Sequence, residues 1–210
     1  MAITYRALSR LLSYPDATLQ EEADAIVDAI QAEGIIPDRI IKSLRKLALN
    51  ITGMDVYEAQ ATYVDQFDRE RGPAMVGLVE LYKSHGLELD VSDLPDYLPI
   101  FLEFLSIIPD TEAASLIGEA AHVIEAIGER LKKRQSPYRA IFGALMALSD
   151  RPADKAALAD LLAMPEDDPN DLEALDENWA EEPVTFGPGT PSDGCPKAAA
   201  MVSNIQGARG

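Results

Sequence analysis

The 210-residue sequence has a single cysteine, Cys195, and two histidines, His85 and His122, and each scarcity excludes something. A lone cysteine closes no intramolecular disulfide and completes neither a paired-thiol motif nor a zinc knuckle. The histidines fall on separate segments and no cysteine accompanies either, so no metal site is expected. No run of about 18 apolar residues occurs, which predicts no membrane span. The opening Met1-Ala2-Ile3-Thr4-Tyr5-Arg6 meets charge too early for a secretory signal, so a reducing cytoplasm is the expected setting. Glycine-rich phosphate loops, nucleophile elbows and His-Glu-x-x-His helices are all missing. Ser84-His85 is a dipeptide without the rest of a triad, and among 36 acidic residues some carboxylates must fall near one another by chance. No catalytic residue, no metal and no cofactor are expected, and the chain is not read as an enzyme.

Positive charge is also scarce. Eighteen Lys and Arg face 36 Asp and Glu, a formal net charge of −18. Direct nucleic-acid binding is disfavoured, because contact with phosphates needs clustered cations. A negative field instead attracts basic partners and speeds their encounter. Acidity also serves solubility alone, and composition does not separate the two roles.

Stretches of strict apolar alternation are missing too, and what remains is helical periodicity, so the fold class is all-α. Tyr5, Leu8, Leu11 and Leu12 fall at helical spacing before Tyr14-Pro15 stops the segment. Thr18 with Glu21 is a capping-box signal for a second helix to about Ala32, with Leu19, Ala23, Ile26 and Ile30 as its stripe, ending at Gly34. Pro37 suits the first turn of a third helix carrying Ile40, Ile41, Leu44, Leu47 and Ala48. Asp55 with Glu58 opens a helix in which Val56, Ala59, Tyr63 and Phe67 share a face. Past the charged junction at Gly72-Pro73, Met75, Leu78, Val79 and Tyr82 mark a segment ending near His85-Gly86, where His85 reads as a polar residue at a helix end.

Asp96 is placed to cap the next helix, with Pro99 in its first turn and Leu98, Phe101, Leu102 and Leu105 inward. One long helix is expected from Pro109-Asp110-Thr111 to about Arg134, with Leu116, Ile117, Ala120, Val123, Ile124, Ile127 and Leu131 as its apolar side. Ser136-Pro137 restarts the chain with Tyr138, Ile141, Phe142, Leu145 and Leu148, and a shorter helix from Ala153 to Ala163 closes the bundle. The result is a single-domain helical bundle over 1–163. Residues 164–210 read as an acidic, Pro/Gly-rich, partly disordered tail with one short helix near 170–180 that could bury Leu172, Leu175 and Trp179.

The middle segments mix aromatics with acids: Tyr57, Tyr63, Asp65, Phe67 and Asp68, then Asp96, Tyr97, Phe101, Glu103 and Phe104. Such a mixture suits a basic amphipathic helix, whose apolar face enters a groove while its cations meet carboxylates at the rim. Taken singly, each aromatic also reads as an ordinary core residue, and Asp68 and Asp96 as caps or solvated charges.

At these same segments the sequence resembles the NarJ family, within the broader group of chaperones that mature molybdenum oxidoreductases, to which TorD and DmsD belong. The likeness is carried by Leu8-Ser9-Arg10-Leu11-Leu12-Ser13-Tyr14-Pro15-Asp16, by Tyr63-Val64-Asp65-Gln66-Phe67-Asp68-Arg69, and by Arg71-Gly72-Pro73-Ala74-Met75-Val76. His85-Gly86-Leu87-Glu88-Leu89, the segment from Leu94 to Ser106 and the stretch around Trp179 continue it. Two departures stand out. The connection after Arg69 is shorter than in the family, and Asp96-Tyr97 stands where related chaperones carry Asp-His.

The resemblance implies a cytoplasmic, monomeric private chaperone that binds the N-terminal segment of the nitrate reductase catalytic (alpha) subunit. It would hold that subunit open for molybdenum-cofactor insertion and delay membrane attachment, with no membrane insertion of its own. The residues expected to bind the client peptide are Tyr57, Tyr63, Asp65, Phe67, Asp68, Asp96, Tyr97, Phe101 and Phe104. An acidic adaptor or mimic that blocks a basic protein surface is the alternative, and a small helical enzyme would show a cavity lined by His85 or His122.

Overall fold

In the computed structural model, residues 1–54, 75–88 and 94–163 are described, and among them the only regular structure is helical. The helices are α1 (Ala2–Leu12), α2 (Ala17–Glu33), α3 (Asp38–Gly53), α4 (Met75–Ser84), α5 (Leu98–Leu105), α6 (Asp110–Glu119), α7 (Ala121–Lys133), α8 (Arg139–Leu148) and α9 (Lys155–Ala163). The expected helix opened by Asp55, the junction before Gly72-Pro73 and everything from residue 164 on lie outside the described residues.

The core follows from spacing. Tyr5, Leu8 and Leu12 bring one stripe of α1 inward, Leu19, Ala23 and Ile30 one stripe of α2, and Ile41, Leu44, Leu47, Ala48 and Ile51 one stripe of α3. These residues join Tyr82, Leu102, Phe104, Leu105, Ile117, Ile124, Ile141 and Leu145 in a continuous apolar cluster. α1 packs against α2 and α5, α2 against α3, α3 against α8, and α8 against α6 and α7. Each fully buried leucine contributes about 1.5–3 kcal/mol by leaving water. The hydroxyl of Ser9, buried between α1 and α5, donates to the Pro99 carbonyl at 2.8 Å, so its polar atom is satisfied where water does not reach.

Several local expectations are corrected. The cap of α2 is Asp16, not Thr18: its carboxylate accepts from the Leu19 N–H at 2.6 Å, and the chain is already helical at Ala17. On the same helix Val27 is sealed at 0% exposure while Ile26 is half-buried, because a 3.6-residue period places position 27 one turn beyond Ala23. Tyr97 rather than Asp96 precedes α5, and it provides no side-chain cap. Pro37 caps α3 instead of lying inside its first turn.

The long helix expected from 110 to 134 is two helices, α6 and α7, broken at Ala120, whose backbone leaves the helical well (φ −88°, ψ 2°). Just before the break, Gly118 lets the 149–151 turn close on α6: a Cβ there would collide with the Asp150 carboxylate and meet Arg151 Nε at 2.7 Å. The Asp150 N–H donates to the Ala114 carbonyl at 3.3 Å, and Arg151 Nη2 donates to the Ser115 hydroxyl at 3.1 Å, fastening the turn to α6. Val123, assigned to the buried side of a continuous helix, is exposed because α7 takes its own orientation after the break. α9 lies on α7, its Leu161 carbonyl accepting from Arg130 Nη2 at 3.1 Å, and none of its residues is fully buried.

A braced aromatic turn as candidate functional site

Four expected site residues fall on α5 and the turn before it. The turn begins at Leu94, whose carbonyl accepts from the Tyr97 N–H at 3.0 Å, and Pro99 in the first turn of α5 costs no helical hydrogen bond. Two large apolar side chains at the turn reach solvent, Leu94 at 38% and Tyr97 at 39% exposure. Asp96 and Phe101 beside them are half-buried. Phe104, one turn further along α5, is buried at 3% exposure and forms the floor.

What braces this turn is α4. Tyr82, 2% exposed, donates its phenolic hydrogen to the Pro95 carbonyl at 2.9 Å, and its ring meets Phe104 edge-on at a centroid distance of 5.0 Å. Burial pushes the Tyr82 hydroxyl up to about 12, and the Asp96 carboxylate adds to the shift, so the group stays a donor at any physiological pH. Phe101 stacks at a tilt on Phe104 with centroids 6.4 Å apart.

His85 closes the other side. α4 ends in a Schellman turn: the Leu87 N–H donates to the Tyr82 carbonyl at 3.0 Å, the Gly86 N–H to the Lys83 carbonyl at 2.9 Å, and Gly86 takes the left-handed backbone this requires (φ 76°). The His85 ring lies edge-on to Phe104 at 5.2 Å, with Nδ1 3.1 Å from the Leu81 carbonyl and Nε2 3.0 Å from Glu112 Oε1 in the first turn of α6. Each partner sits at the helix end that its charge favours. The Leu81 carbonyl, aided by the Glu112 carboxylate, holds the imidazole above its ordinary pKa.

Asp96, Tyr97, Phe101 and Phe104 are therefore neighbours along one turn and helix. Tyr57, Tyr63, Asp65, Phe67 and Asp68 lie outside the described residues. Sequence reasoning assigned none of the supporting residues Tyr82, His85 and Glu112 to this site: Tyr82 read as part of an apolar stripe, His85 as a polar residue at a helix end, and the 27 residues from His85 to Glu112 carry no local signal of contact. His122 borders a separate surface hollow with Gly118, Glu119 and Arg151. Among the described residues no group of three or more His, Cys, Asp or Glu is arranged to hold a metal, and no helix is long and apolar enough to cross a membrane.

Among the described residues, then, an all-α protein presents an aromatic turn beside a carboxylate, braced from below by Tyr82 and Phe104. Residues 55–144 match the family model described as nitrate reductase delta subunit. The chain is 34% identical over 198 residues to the nitrate reductase molybdenum cofactor assembly chaperone NarJ of Escherichia coli K12, covering 85% of this chain and 83% of that one. It is 30% identical over 198 residues to the probable assembly chaperone NarW of the same strain, covering 86% and 82%. With the probable NarJ of Bacillus subtilis 168 it shares 29% identity over 160 residues, covering 69% and 87%. The chain belongs to the NarJ family of nitrate reductase molybdenum cofactor assembly chaperones.

Proposed function

We propose that this protein is a cytoplasmic, monomeric private chaperone that captures the N-terminal segment of the nitrate reductase catalytic subunit. It keeps that subunit open for molybdenum-cofactor insertion and postpones membrane attachment until assembly is complete. The observation that carries the reading is the turn before α5: Leu94 and Tyr97 stay exposed although the backbone beside them is held by hydrogen bonds from beneath, the Pro95 carbonyl by Tyr82 and the Pro99 carbonyl by Ser9. A rigid apolar surface loses little freedom when a peptide settles on it. Asp96 at its edge supplies a carboxylate for a basic side chain of the client, and the half-buried Phe101 adds apolar surface beside it. Tyr57, Tyr63, Asp65, Phe67 and Asp68 complete the proposed binding set, with Phe104 acting as its floor.

No residue is assigned a chemical step. Ordering of the client peptide into a helix on binding limits affinity and so assists release. Calorimetric titration of a basic peptide from the client N-terminus at about 50 and 500 mM salt tests the reading. Affinity falls at the higher salt, and falls by roughly 3- to 30-fold in Asp96→Asn or Asp68→Asn through loss of a charge-assisted contact. Equal affinity for the wild type and both variants removes these carboxylates from the site.

A further inference from the structure

A second surface gathers cations. Residues 39–54 and 130–149 contain not one carboxylate, although the whole chain carries a net charge of −18. These two stretches supply Arg39, Lys42, Arg45 and Lys46, then Arg130, Lys132, Lys133, Arg134 and Arg139. Folding brings them together, since α3 packs against α8 and α8 against α7. Where they meet, a groove of about 390 Å³ opens, floored by Ile40, Ile124, Gly143 and Met146. Lys132 and Arg139 stand exposed at its rim, and Arg39, Lys42 and Lys46 are exposed on α3 beside it. Two acids, Glu125 and Glu129, also line the groove, and Glu129 is paired with Lys132 at 3.0 Å, so the positive field comes from Arg139 and from the cations of α3 beside the groove rather than from the lining as a whole.

Gly143 is the independent clue. It sits in the middle of α8, where glycine costs about 1 kcal/mol relative to alanine. Packing does not require it: an added Cβ would meet nothing within 4 Å. Gly128 across the groove differs, since a Cβ there would press on Phe142 Cβ at 3.3 Å. A mid-helix glycine that no internal contact demands leaves the groove floor bare.

We infer that this groove docks an acidic amphipathic helix of a partner protein, separately from the client-peptide surface. The lining runs from Ile124 to Lys132 on α7, about 12 Å at helical rise, or two turns of a guest helix. Apolar residues of the guest enter over Gly143 and Met146, and its carboxylates meet the cations on α3 and around Arg139. A concave floor suits a helix better than a flat lipid surface does. The floor also lacks the exposed aromatics on which bases stack, so single-stranded nucleic acid fits it poorly.

The test uses the full chain and fluorescently labelled synthetic peptides of roughly 15 residues. One carries leucines along a helical stripe among glutamates, one has the same composition with its leucines scattered, and one replaces glutamate by lysine. The striped acidic peptide binds the wild type with an affinity that falls as salt rises, and binds at least about tenfold more weakly to Gly143→Leu and to Arg139→Glu. The leucine introduced at 143 enters open space, so circular dichroism and melting confirm that the fold is kept. In the same two variants the basic client peptide binds as before, which separates failure here from failure of the chaperone reading. The inference is overturned if the striped acidic peptide binds Gly143→Leu as well as wild type, does not bind at all, or does no better than its scattered counterpart. It is equally overturned if Arg139→Glu abolishes binding to anionic lipid vesicles and leaves the striped peptide's binding intact.

Discussion

Tyr82 and His85 meet the same ring, Phe104, and each makes a contact that a single substitution isolates. Tyr82→Phe keeps the apolar packing and leaves the Pro95 carbonyl without its donor. Urea denaturation should show a loss of about 1 kcal/mol, the usual worth of one hydrogen bond, and client-peptide affinity should fall as the turn loosens. For His85 the folded pKa is raised, so its tie to Glu112 is fully present below the unfolded value near 6.5 and is lost as pH rises through the higher folded value. Melting temperatures of the wild type therefore drop between about pH 6 and pH 8 by more than those of His85→Gln. Equal drops in the two proteins would show that the imidazole does not hold α4 to α6. At this scale the sequence displayed Asp96, Tyr97, Phe101 and Phe104 as an aromatic and acidic run. It hid what lies under them, because Tyr82 and Glu112 reach the site from other helices.

Helix ends decide the next scale. The Asp16 carboxylate accepts the Leu19 N–H and also meets Arg10 Nη2 at 3.0 Å. The Leu19 bond, with help from Arg10, holds its pKa below the usual aspartate value. That stabilisation is present above the unfolded pKa and disappears as pH falls through the folded one. Asp16→Ala should lower the melting temperature at neutral pH by roughly 2–4 °C, a drop that shrinks in acid. α7 ends differently. Gln135 occupies the left-handed position (φ 58°) of a Schellman turn in which the Ser136 N–H donates to the Leu131 carbonyl at 2.8 Å. A side chain there is strained, so Gln135→Gly should stabilise the protein by about 0.5–1 kcal/mol in chemical denaturation. A destabilised variant would mean that the glutamine side chain makes a compensating contact. Helix existence was legible from apolar spacing in every described segment. The starts of α2 and α5 and the break at Ala120 were not, since competing caps lie within two residues and the break accompanies a turn fastened from residues 149–151.

Across the whole molecule, net charge matters more than any single ion pair. Pairs such as Arg45–Asp28 at 2.7 Å and Arg151–Asp150 at 3.1 Å are exposed and worth little individually. Self-repulsion from a net charge of −18 is the larger effect, so raising salt from about 50 to 500 mM should raise the melting temperature by a few degrees. A fall instead would place surface ion pairs above repulsion in the balance. The sequence by itself determined the all-α class, the family and the excess of acid, because apolar period, ordered motifs and composition are local or additive properties. Only the tertiary structure decided that Tyr82 props the turn before α5 and that two acid-free stretches, far apart in the chain, converge around one groove. Those pairings depend on which helices pack against which, and that is set by the mutual fit of many buried side chains rather than by any one segment.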